Sequence, residues 1–158
     1  MFRSLTAMGL MLLAGTLMAA GSGGGGGGSG SGGETKPTTA VQWYNAGYKA
    51  SDAGDWGTAI ADFQKAVDLK PDYAEAYNML GYSNRKAGNV TEAFTDYDKA
   101  LKLKPNFAEA REYYGEAYLQ DGDLPRALLQ YIALKKLNEK LAQELLEKLG
   151  AYASLKAP

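Results

Sequence analysis

The chain has 158 residues, with 17 Lys plus Arg against 18 Asp plus Glu and a formal charge of −1, so nothing in its balance draws it to nucleic acid. It contains neither Cys nor His, which removes disulfides, the commonest zinc and copper ligands, the thiol nucleophile and the commonest general base. No cofactor, metal or catalytic role is therefore expected, and the length fits one compact domain.

In chain order, Met1-Phe2-Arg3 is followed by an uncharged apolar stretch from Leu5 to Ala20 and then by small residues. That order of basic, apolar and small segments reads as a secretory signal peptide over residues 1–20, and export to a bacterial periplasm is the expectation. The alternative is an uncleaved leader that anchors the chain to a membrane, although the run falls short of the ~20 residues that span a bilayer comfortably. Residues 21–39 form a linker, of which Gly21 to Gly33 is Gly and Ser alone, a composition that buries no apolar surface and behaves as a tether. No Lys-Ser/Thr ends this tract, so it does not read as a phosphate-binding loop.

Beyond the tether the sequence repeats itself. Gly47, Gly81 and Gly115 lie 34 residues apart, and the same spacing relates Gly54, Gly88 and Gly122; Ala59, Ala93 and Ala127; Phe63, Tyr97 and Tyr131; and Leu69, Leu103 and Leu137. Within each copy, apolar residues recur at helical spacing in two segments divided by Gly54-Asp55, Gly88-Asn89 or Gly122-Asp123. Gly closes the first helix of a pair, and Asp or Asn can accept hydrogen bonds from the free amides that open the second. Capping boxes are expected at Asn89-x-x-Glu92, Asp72-x-x-Glu75 and Asn106-x-x-Glu109, and Pro71 and Pro105 stop the helices before them. The small Gly and Ala columns let the two helices of a pair approach closely, with Phe63, Tyr97 and Tyr131 filling the space beyond.

These residues resemble the tetratricopeptide repeat (TPR) family from Ala40 to about Leu141, most closely in the middle copy, which carries Tyr77, Leu80-Gly81, Gly88, Ala93, Tyr97, Ala100 and Pro105. The end copies depart from the pattern at Ala46 and Ala50, and at Arg111, Leu134 and Glu139. The resemblance implies an all-α solenoid of three helix-turn-helix repeats, at 40–73, 74–107 and 108–141. After them, Leu141, Leu145, Leu149 and Tyr152 recur among charged residues, so 142–158 reads as an amphipathic capping helix and tail; dimerisation is its alternative role.

The family binds extended peptides or partner helices in a concave groove lined by the first helix of each pair. By helical phase that groove would carry Tyr44, Tyr48, Ser51 and Asp52; then Glu75, Asn78, Tyr82, Arg85 and Lys86; then Glu109, Glu112, Glu116 and Gln120. An aromatic strip, a basic centre at Arg85 and Lys86 and an acidic end at the three glutamates are expected, with Asn78 pinning ligand backbone. Tyr44 and Tyr48 stand where a carboxylate-binding set would need polar or basic groups, so a C-terminal carboxylate is not the expected ligand. Asp52 with Glu75 and Glu109 with Glu112 are the carboxylate pairs an enzyme would use, and they read as solvated charges on helix faces. The expected partner is a protein or peptide; a self-associating envelope scaffold, using the C-terminal helix or the open repeat edge, is the alternative.

Overall fold

The computed structural model describes residues 36–156, so the expected leader and most of the expected tether lie outside the described residues. Among the described residues seven helices follow one another: α1 (Ala40–Asp52), α2 (Trp56–Leu69), α3 (Ala74–Ala87), α4 (Val90–Leu103), α5 (Ala108–Asp121), α6 (Leu124–Leu137) and α7 (Glu139–Lys156). Each odd helix pairs with the next even one, and each pair leans on its neighbour through α2 against α3 and α4 against α5. The inner helices α1, α3 and α5 also touch in sequence, whereas α2, α4 and α6 do not touch one another. An inner row that closes while the outer row splays makes a curved stack with α1, α3 and α5 on its concave side. Among the described residues there is no strand, and no helix is long and apolar enough to cross a membrane.

The turn inside each pair is the same device three times. Gly54, Gly88 and Gly122 take left-handed φ values of 74°, 89° and 87°. The following amide then reaches back five residues, Asp55 N to Ala50 O, Asn89 N to Asn84 O and Asp123 N to Tyr118 O, at 2.8–2.9 Å. These bonds satisfy carbonyls that the helix end would otherwise leave free. Asp55 and Asp123 then accept from Thr58 N and Arg126 N at 3.1 and 2.9 Å, opening α2 and α6 as expected.

The three expected capping boxes do not form. Asn89 turns its amide to Asn84 Oδ1 at 3.2 Å, and the helix-opening positions before α3 and α5 are Tyr73 and Phe107, one residue beyond Asp72 and Asn106, with no side-chain cap. The capping box that does exist is Thr39 with Gln42, at the start of α1.

The small columns behave as the spacing demands. Ala59, Ala93 and Ala127 have no exposed surface, and a Cβ added at Gly47 or Gly81 would stand 3.0 or 2.9 Å from the ring of Phe63 or Tyr97. The third pair departs from the expectation. Tyr131 is only half-buried, and the space over Gly115 is filled by Leu145 of α7, whose Cδ2 would be 2.5 Å from an added Cβ. Glu139 in place of a proline allows α7 to start at once after α6, with Asn138 Oδ1 accepting from Leu141 N at 3.2 Å. The helix then buries Ala142, Leu145 and Leu149 against α5 and α6 and partly buries Leu141 and Tyr152.

Beneath α3, Asp96 accepts from Asn84 Nδ2 at 2.8 Å; burial pushes its carboxyl up to about 6, against the opposing Asn84 bond and with help from the Glu92 charge. A folded-state value above the unfolded one means that this group favours folding most at low pH. That contribution is lost as pH rises from about 4 through 6. Asp96→Asn, which keeps an acceptor, should therefore be more stable than the parent above pH 6 by about 1–3 kcal/mol and equal to it near pH 4, as read by urea unfolding at both pH values. At the helix contacts, Gly115→Ala should cost about 1–3 kcal/mol by overpacking. Gly150→Ala, which meets nothing within 4 Å on α7, should add about 0.5–1 kcal/mol of stability. Opposite shifts in thermal midpoint would verify the pair.

Candidate functional site

A concavity of about 360 Å³ opens on the inner side of the stack, and α1, α3 and α5 all contribute to its wall. Eight residues marked by helical phase line it: Tyr44, Tyr48, Ser51, Asp52, Glu75, Asn78, Tyr82 and Glu109. Met79, Phe107 and Tyr113 line it too and were not among those marked. Tyr113 and Met79 lie four residues after Glu109 and Glu75 on the same helix faces, so the helical spacing carried the signal for them. Phe107 precedes α5, outside any helical stripe.

The tyrosines of the concavity fall into two aromatic groups, one around Tyr44 and one around Tyr82. Tyr44 packs 5.2 Å from Tyr73 and 5.6 Å from Phe63, Tyr82 lies 5.0 Å from Tyr113 and meets Trp56 edge-on at 5.9 Å, and Tyr48 stays about half exposed. Burial, with Tyr73 and Tyr48 nearby, pushes the Tyr44 phenol up to about 12, and burial followed by the Glu112 charge raises Tyr113. Both therefore stay neutral near pH 7 and keep a hydroxyl able to donate. Asn78 is 96% buried in α3, and its Oδ1 has no hydrogen-bond partner. A buried amide left short of a partner costs free energy that an incoming donor would recover.

The remaining five marked residues do not line this concavity. Arg85 pairs with Glu116 at 2.7 Å and is largely buried; Lys86 lies over the Trp56 ring at 5.6 Å; Gln120 donates to the Arg85 carbonyl at 3.4 Å. Glu112 is 5% exposed and bonds Lys148 of α7 at 2.7 Å, and the same ammonium reaches Glu116. Arg85 of the expected basic centre, Glu112 and Glu116 of the expected acidic end and Lys148 of the cap thus neutralise one another, and Glu112 is not the solvated carboxylate its helix face implied. The charged side chains that do line the concavity are all acidic: Asp52, Glu75 and Glu109. Glu75 is engaged by Lys104 at 3.1 Å; burial would raise its pKa, but its own backbone amide and Lys104 outweigh that and lower it. Asp52 and Glu109 have no ion pair among the described residues.

Partial burial alone would lower the Lys148 pKa, yet its bonds to Glu112 and Glu116 raise it. Lys148→Met would leave Glu112 buried without its counter-charge. The expected loss is about 2–4 kcal/mol in urea unfolding, partly recovered by adding Glu112→Gln.

Comparison with known proteins agrees with this architecture. Models of the tetratricopeptide repeat match residues 44–106 and 96–129, together more than half of the chain. No curated protein sequence matches the chain significantly. Among solved structures, the first TPR domain of human RPAP3 is 20% identical with a TM-score of 0.69, over 75% of this chain and 94% of that one. The TPR2B domain of yeast Sti1, in complex with pHsp70, is 22% identical with a TM-score of 0.68, over 75% and 98%. PcrH, in complex with the chaperone-binding region of PopD, is 25% identical with a TM-score of 0.66, over 74% and 92%. With its three helical hairpins, its recurrent glycine turns and these matches, the chain belongs to the tetratricopeptide repeat family.

Proposed function

We propose that the chain is an exported adaptor that holds an extended segment of a partner protein in the concavity of α1, α3 and α5. The observation that carries this reading is the joint presence, on one wall, of Tyr48 and Tyr82 as large contact surfaces and of Asn78 with a buried acceptor unmet. Tyrosine gives contact area with a polar tip and few torsions to freeze, and an amide can pin a peptide backbone by donating and accepting. The likeness to PcrH, solved with a region of PopD, supports a protein segment as the ligand class. Export to the periplasm rests on the basic-apolar-small order of the leader over residues 1–20.

Self-association is a second reading with an observation behind it. Leu129 and Ile132 are 61% and 53% exposed on α6, where α4 carries Thr95 and Asp98 and α2 carries Ala61 and Gln64 at the same repeat positions. The capping helix is less suited to that task, because α7 spends its apolar stripe on α5 and α6.

A photo-crosslinking residue placed at Tyr48, in the cells that make the protein, should give an adduct within one short segment of one partner, lost when Tyr82→Ala is added. The same residue at Gln64 on α2 should give none. Adducts from Gln64 alone would move binding off the concave side, and self-adducts from Ile132 would favour the scaffold. A mature chain that starts near residue 22 would support export with cleavage, and one that keeps its leader would support the anchored form.

A further inference from the structure

The concavity has an unbalanced charge. Among the described residues its lining includes three carboxylates, four tyrosines and Phe107, and no Lys or Arg. On its edge the protein already holds two cations in that company: the Lys104 ammonium lies 4.3 Å from the Phe107 ring centroid and 3.1 Å from Glu75, and the Arg85 guanidinium lies 5.4 Å from the Tyr82 ring centroid. Aromatic faces attract cations through their quadrupole, and a carboxylate beside the ring adds a direct charge. Lys104 accounts for Glu75 and leaves Asp52 and Glu109, from opposite ends of the inner row, facing the same space.

We infer that the groove selects a basic residue in its ligand: a Lys or Arg side chain set between the rings of Tyr48, Tyr82 and Tyr113 and the carboxylates of Asp52 and Glu109, with the adjoining backbone held by Asn78. This rests on the groove being the binding surface and goes further by fixing the chemistry it reads. Asn78 is the independent mark of a ligand here, since it lines the same concavity and its buried Oδ1 has no hydrogen-bond partner. An acidic segment is disfavoured by the same arrangement, because Arg85, which could have received it, is committed to Glu116. A wholly apolar segment would leave Asp52 and Glu109 without a counter-charge while stripping their water.

The test begins with a random dodecapeptide display library panned on the full chain. Selected peptides should share a Lys or Arg. The strongest, resynthesised, should bind Asp52→Asn/Glu109→Gln about tenfold more weakly than the parent and lose affinity as salt rises. Its norleucine analogue should bind parent and variant alike. Both replaced side chains are exposed, so the thermal midpoint should stay where it was. Peptides without a basic residue that depend on Tyr48 and Tyr82 but not on Asp52 or Glu109 would overturn this inference and leave the groove reading standing. Binders indifferent to all four residues, or no binders at all, would overturn both.

Discussion

The contact on which the molecule depends is the approach of two helices over a residue with no side chain. At Gly47 and Gly81 an aromatic ring from the partner helix lies where a Cβ would be, so the spacing of each pair is set by the thickness of Phe63 or Tyr97. Close packing makes that spacing stiff, because interior atoms have no slack to absorb a methyl group. Fixing each pair fixes the angle at which the next one leans, and through it the separation of α1, α3 and α5. The concavity is a product of those separations. Its walls come from helices that hardly touch one another, held in place from behind by α2 and α4.

Most of the fold was legible in the sequence, for a physical reason. A 34-residue period is written in residues that have no alternative: the positive φ of Gly54, Gly88 and Gly122 and the absent side chains of the packing column. Capping was less legible. Asp72 and Asn106 have the right chemistry at nearly the right place, but the helices open one residue later, and a cap works only at the residue whose neighbours' amides are free. Asn89 had a second suitor in Asn84, itself tied to Asp96 on the facing helix, and a local pattern does not show such a rival.

The concave surface was legible in place and less so in charge. Helical phase brought eight residues of three separate helices to one wall. The balance of charge could not be read the same way, because Arg85, Glu112, Glu116 and Lys148 come from three elements and cancel only when α7 docks. A tally of charges along α3 and α5 counts groups that are spent inside the protein.

The docking of α7 also makes the last hairpin unlike a repeat. Its glycine contact is closed by Leu145 from outside the unit, and its inner helix gives up two glutamates to Lys148. Hairpins built like the first two could be copied and inserted in series, since each carries the ring that fills its own gap. The third cannot be moved or multiplied without the helix that follows it. Growth of this array by duplication is therefore open toward its N-terminal side and shut at the other, where the final helix fixes the end of the stack.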